Sequence, residues 1–81
     1  SEFNRFEVFP NPADDYFEFS LESQTEDLEL NMYDVNGRVL MTKVFNSQQV
    51  KGVNTQNLTT GIYFVEIKNG MQRSIKKLVI Q

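Results

Sequence analysis

The feature that most narrows what this chain can become is strict alternation of apolar and polar side chains in short runs. In "YFEFSLE" (16–22), Phe17, Phe19 and Leu21 point one way, and Glu18, Ser20 and Glu22 the other. "DLELNMYD" (27–34) repeats the pattern, with Leu28, Leu30 and Met32 inward and Asp27, Glu29 and Asn31 outward. A period of two is the signature of strands with one buried face, and helical spacing is nearly absent.

Turn signals separate the runs. "RFEVF" (5–9) leads into "PNPADD", where Pro10 and Pro12 forbid a continuous ladder and Asn11 favours a turn. Asn36-Gly37 predicts a two-residue type I′ hairpin, because both residues accept positive φ. "RVLMTKVF" (38–45) is the returning strand, apolar on both sides. "QQVKGVNTQNL" (48–58) is polar and contains Gly52, which predicts a weak or edge strand followed by a turn. "GIYFVEIKN" (61–69) places Tyr63, Val65 and Ile67 on one face and Ile62, Phe64, Glu66 and Lys68 on the other. Asn69-Gly70 marks a second hairpin, and "MQRSIKKLVIQ" (71–81) is the last strand. The expectation is all-β: one immunoglobulin-like antiparallel sandwich of about seven strands, its core built from 17–21, 28–32 and 63–67.

Eighty-one residues make one domain, and seven phenylalanines with 40% apolar residues suffice for a single core. There is no cysteine and no histidine, which removes disulfides, thiolate metal ligands, the strongest nucleophile and the usual general base. The serines lack a plausible base and no glycine-rich phosphate loop is present, so no catalytic residue is assigned. Asp14-Asp15 beside Asn11 offers clustered oxygens of the kind calcium prefers, yet these residue types also close turns, and no metal or other cofactor is assigned. Phe9, Tyr16, Phe45 and Phe64 are the aromatics available to stack on a sugar, if they lie outside the core. No apolar run reaches the ~20 residues of a membrane-spanning helix.

Charge is unevenly placed. Residues 1–34 carry ten acids against Arg5 alone, whereas residues 35–81 carry seven bases against Glu66 alone. Acidic strands can pair with basic ones across the sheets, and the basic half can also face an anionic partner. The chain is acidic overall, with a net charge of −3, and its bases form no cationic stripe, which argues against nucleic acid.

Four segments in order carry a family resemblance: "VFPNPADDYFEF" (8–19), "LNMYDVNGRVL" (30–40), "LTTGIYFVEI" (58–67) and "KKLVIQ" (76–81). Together they resemble the C-terminal sorting domain of type IX (Por) secretion system cargo, over residues 6–81, with residues 1–5 left as a linker or cloning remnant. The resemblance implies a β-sandwich that directs cargo from the periplasm through an outer-membrane translocon, aided by shuttle proteins. It implies removal by a sortase-like cysteine peptidase, often with attachment of the cargo to anionic lipopolysaccharide. It also implies no catalysis by the domain itself, and a destination at the surface of, or outside, a Gram-negative cell. Residue by residue, Pro10, Asn11 and Pro12 match the opening turn; Tyr33, Asp34 and Gly37 the hairpin; and Gly61, Ile62 and Tyr63 the start of the penultimate strand. Lys76, Lys77, Leu78 and Val79 match the terminal signal, and Ile80-Gln81 stand where relatives often carry another base.

The tail has its own physics. A terminal strand can be lent to another protein's sheet edge, and Arg73, Lys76 and Lys77 would steer it to an acidic receptor. The recognition segment is therefore expected at Arg73 and Lys76 to Gln81. The rival reading is a carbohydrate-binding or adhesion module on the same fold.

Overall fold

A computed structural model describes residues 6–21, 27–46, 51–70 and 72–81. The linker assigned to 1–5, the Glu22 end of the first alternating run, the 48–50 start of the polar strand and Met71 lie outside the described residues. The strands are β1 (Glu7–Phe9), β2 (Tyr16–Ser20), β3 (Leu28–Tyr33), β4 (Val39–Phe45), β5 (Gly52–Asn54), β6 (Gly61–Asn69) and β7 (Gln72–Ile80). They form two antiparallel sheets, ordered β1-β2-β5 and β4-β3-β6-β7, which pack as the sandwich the alternation predicts.

Period two decides what is inside. Phe17 and Phe19 from β2, Leu28, Leu30 and Met32 from β3, Tyr63, Val65 and Ile67 from β6, and Leu78 and Ile80 from β7 are all buried. Phe45 joins them and meets Phe19 edge-on across the two sheets, with ring centroids 5.2 Å apart. A T-shaped pair of this kind adds about 0.5–1.5 kcal/mol to the burial of its rings. Phe45 is thus a core residue and cannot stack on a sugar. Its strand reads as apolar on both sides because β4 is an edge, paired with β3 alone, so Val39 and Val44 remain exposed. Polar β5 is the short outer strand of the other sheet, as its composition predicts.

Tyr63 sits at the start of β6, and its hydroxyl donates back to the Thr59 carbonyl at 2.6 Å. This is the tyrosine corner of immunoglobulin-like sandwiches. It pins the incoming loop to the first residues of β6 and fixes where "TTG" gives way to strand.

The β3–β4 hairpin differs from its sequence expectation. The Gly37 amide donates to the Asp34 carbonyl and the Asp34 amide to the Arg38 carbonyl, both at 3.0 Å. That is a three-residue loop in which only the glycine must be left-handed, at φ 85°. The reason is Asp34: its carboxylate accepts from the Asn36 and Arg38 amides and braces a wider turn than a two-residue loop allows. In the second hairpin Asn69 pairs with Gln72, so Asn69 belongs to the strand and Gly70 takes the positive φ of 56°.

Nothing lies within 4 Å of where a Cβ at Gly37 would stand, so a side chain there strains only the backbone. Gly37→Val should lower stability by about 1–2 kcal/mol, and Gly37→Asn by distinctly less, because asparagine tolerates this region. Thermal melting of the two variants checks this; equal melting temperatures would contradict it.

Candidate functional site: the last strand and its neighbours

β7 is the outermost strand of the four-stranded sheet, paired with β6 from Asn69↔Gln72 to Gly61↔Ile80. Its inward residues, Leu78 and Ile80, are locked in the core. Arg73, Lys76, Lys77 and Gln81 are exposed, and Val79 is half-buried. The recognition segment expected from the sequence therefore divides in two: a solvent-facing set and a set that holds the sandwich together.

The far side of β7 is closed at its end by the Pro-Asn-Pro turn. Asn11 Nδ2 donates to the Lys77 carbonyl at 2.8 Å, and Asn11 Oδ1 accepts from the Val79 amide at 3.0 Å. The Ala13 amide then donates to the Val79 carbonyl at 2.7 Å, and the Gln81 amide to the Ala13 carbonyl at 2.9 Å. A side-chain amide carries the same donor and acceptor as a peptide group, so Asn11 stands in for one residue of a neighbouring strand. Pro10 and Pro12 have no N–H to give a ladder, so between Phe9 and Ala13 it is the Asn11 side chain that makes the contact. The sequence assigns Asn11 to the turn; its link to residues nearly seventy positions away has no local signal.

A polar network covers the outer face of the same sheet. Glu66 is buried, although the alternation predicts an outward, solvated side chain. Its Oε1 accepts from Tyr33 at 2.7 Å and from Asn31 at 3.1 Å, and its Oε2 accepts from Arg73 Nε. Asn31 Nδ2 also reaches Glu29 Oε2 at 2.8 Å, and Thr42 donates to Asn31 Oδ1 at 2.7 Å. Burial pushes the Glu66 carboxyl up, but the donors from Tyr33, Asn31 and Arg73 outweigh it and hold it below its ordinary value. The same hydrogen bond, followed by burial, raises the Tyr33 phenol. Tyr33 thus has a second task beyond the hairpin motif, because its hydroxyl reaches across β3 to β6. The outward stripe Asp27, Glu29, Asn31 was visible in the sequence, but the convergence of Asn31 and Tyr33 on Glu66 depends on strand order.

Part of the uneven charge is resolved by pairing. Glu29 lies 3.4 Å from Lys68, Glu7 3.8 Å from Lys76, and Asp34 3.3 Å from Arg38. Each joins the acidic half of the sequence to the basic half. Of the other matched positions, Ile62 is exposed beside Val79, and Gly61 opens β6 opposite Ile80. Among the described residues no group of three or more acidic side chains is placed to hold a metal ion, and no helix is long and apolar enough to cross a membrane.

Because the folded Glu66 carboxyl titrates below its ordinary value of 4.5, the network contributes stability above that pH. The contribution is lost as pH falls through the lower folded value. Melting temperature should therefore drop on acidification below about pH 4.5, and Glu66→Gln should flatten that drop, leaving the part due to Asp34 and Glu29, which are also held low. An unchanged acid slope in the variant would contradict the assignment.

With this geometry in hand, the comparisons with known proteins are direct. Residues 7–81 match the family model described as the secretion system C-terminal sorting domain. The chain is also similar to an endo-acting ulvan lyase of Formosa agariphila, with 31% identity over 75 residues, covering 91% of this chain and 14% of that enzyme. It spans about one seventh of the length of that relative.

Proposed function

The chain belongs to the family of secretion system C-terminal sorting domains, the sorting signals of type IX secretion, and on that premise we propose that β7 is the strand its export machinery reads. The family is a non-catalytic tail of secreted or cell-surface proteins. Its members label a passenger for export, and the passenger here stands upstream of β1. The observation that carries the assignment to β7 is its mixed exposure. Arg73, Lys76 and Lys77 meet solvent from an outermost strand, while Leu78 and Ile80 anchor that strand from within.

In this reading an outer-membrane translocon and its shuttle proteins engage the cationic side chains of β7. A sortase-like cysteine peptidase then cuts ahead of the sandwich, and the released cargo is joined to anionic lipopolysaccharide of a Gram-negative cell. The domain is a substrate throughout and supplies no catalytic group. The label depends on folding, because the residues that display it and the residues that hold the core alternate along one strand. Steering comes from the cations, since an acidic receptor surface attracts them over roughly a Debye length, about 8 Å at physiological salt.

A carbohydrate-binding reading is favoured by one observation only. Phe9 and Tyr16 are exposed on the outer face of the three-stranded sheet, where Phe9 stands opposite Glu18.

The structure determines which test is clean. Deleting residues 76–81 removes two core side chains and unfolds the domain along with the label, whereas Lys76→Glu with Lys77→Glu changes exposed positions alone. A reporter fused ahead of the double variant should accumulate in the periplasm while the isolated variant melts within a few degrees of the parent. Surface display at the parental level would overturn the proposal. Saturable binding of a polysaccharide, lost in Tyr16→Ala, would replace it with the carbohydrate reading.

A further inference from the structure

We propose that the outer face of the four-stranded sheet is a contact between two copies of this chain, laid face to face about a two-fold axis parallel to the strands. The inference goes beyond the sorting reading and does not rest on it.

Residues paired across neighbouring strands turn their side chains to the same side, so the register lays this face out in rows. At one end Ile62 stands beside Val79. The next row crosses the sheet as Val39, Tyr33, Phe64 and Lys77. Below it come Thr42, Asn31, Glu66 and Ile75, and last Val44, Glu29, Lys68 and Arg73. Ile62, Val39, Ile75 and Val44 are each between 45% and 57% exposed. The half-buried rings of Tyr33 and Phe64 join Val39 to Ile62 in one apolar band. A continuous exposed band of this kind marks a place where another surface docks.

The rows state which surface. A two-fold axis that runs between β3 and β6 keeps each row opposite its own copy, and exchanges β3 with β6 and β4 with β7. Tyr33 then faces the copy's Phe64, and Phe64 the copy's Tyr33. Glu29 faces the copy's Lys68, and Lys68 the copy's Glu29. Within one chain these two already lie 3.4 Å apart, so the four charges alternate in sign around a square. Val39 meets the aliphatic stem of the copy's Lys77, whose ammonium reaches water at the side of the sheet. Glu66 brings no unpaired charge into the contact, because Tyr33, Asn31 and Arg73 already satisfy it. An axis laid across the strands would instead reverse the rows. It would set Ile62 and Val79 against Lys68 and Arg73, where nothing complements the cations.

Size sets the strength. Four strands at about 4.8 Å and four rows at about 6.8 Å give a face of roughly 19 by 27 Å. Two copies therefore cover on the order of 1,000 Å² between them, at the low end for a specific interface. The dimer is weak and reversible, and it forms at high local concentration.

Sedimentation equilibrium of the chain from micromolar to millimolar concentration tests this. A reversible monomer–dimer equilibrium is expected. On dilution the amide resonances of Phe64, Glu66 and Ile75 should shift, while those of Phe9 and Tyr16 on the other sheet stay fixed. Ile62→Asp should weaken association roughly tenfold or more, by setting a charge in the apolar band. Glu29→Lys and Lys68→Glu should each stop self-association, since like charges then meet at every corner of the square. An equal mixture of those two variants should dimerise again, because the lysines of one chain face the glutamates of the other. A purely intramolecular role for the Glu29–Lys68 pair predicts no such recovery. Circular dichroism should show the parental fold in all three variants. A parent that stays monomeric at millimolar concentration, a mixture that stays monomeric, or shifts centred on Phe9 and Tyr16 would each overturn the inference.

Discussion

An outermost strand must do something with the amides it turns toward solvent, and in this molecule one asparagine side chain decides the matter. Asn11 supplies the donor and acceptor of a missing residue to the end of β7 and, with Ala13, makes four hydrogen bonds to it. Those bonds join the crossing between β1 and β2 to the edge of the opposite sheet, so the two layers are tied along their side as well as packed through the core. The contribution of each neutral bond is modest, of order 0.5–1.5 kcal/mol. Their placement matters more than their sum, because they fix the register in which Leu78 and Ile80 enter the core.

Under the reading proposed for β7, that arrangement both presents the strand and protects it. Full burial of the last strand would hide the cations, and a wholly open edge would invite indiscriminate pairing. Asn11 and Ala13 close the end of the β7 edge, and Arg73 and Lys77 charge the exposed face of the same strand. The Glu66 network on the adjacent face complements this by orienting Arg73 and by satisfying polar groups that a thin sandwich could not otherwise bury.

The sequence made the strands and their inner faces legible, because alternation in "YFEFSLE", "DLELNMYD" and "GIYFVEIKN" encodes burial directly. It also made β5 legible as a weak edge and Gly37 as a left-handed residue. It misjudged the loop around Gly37, because the bracing carboxylate of Asp34 competes with the intrinsic preference of Asn36-Gly37. Phe45 and Glu66 were beyond reach for a different reason. Whether an aromatic on an apolar strand is core, or an outward acid is buried, depends on which strands lie beside it, and strand order is a property of the whole fold. The partnership of Asn11 with Lys77 and Val79 is the extreme instance, joining opposite ends of the chain through a single amide.

β1 lies against β7, with Glu7 and Lys76 within reach of each other across the gap between the sheets. Glu7 at the start of β1 and the middle of the final strand therefore lie on the same side of the molecule. Under the reading proposed for β7, the point at which a passenger would be tethered and the strand to be gripped share one corner of the molecule. A single docking event there would bring the tether within the footprint of whatever machine holds the handle, without the domain having to turn around.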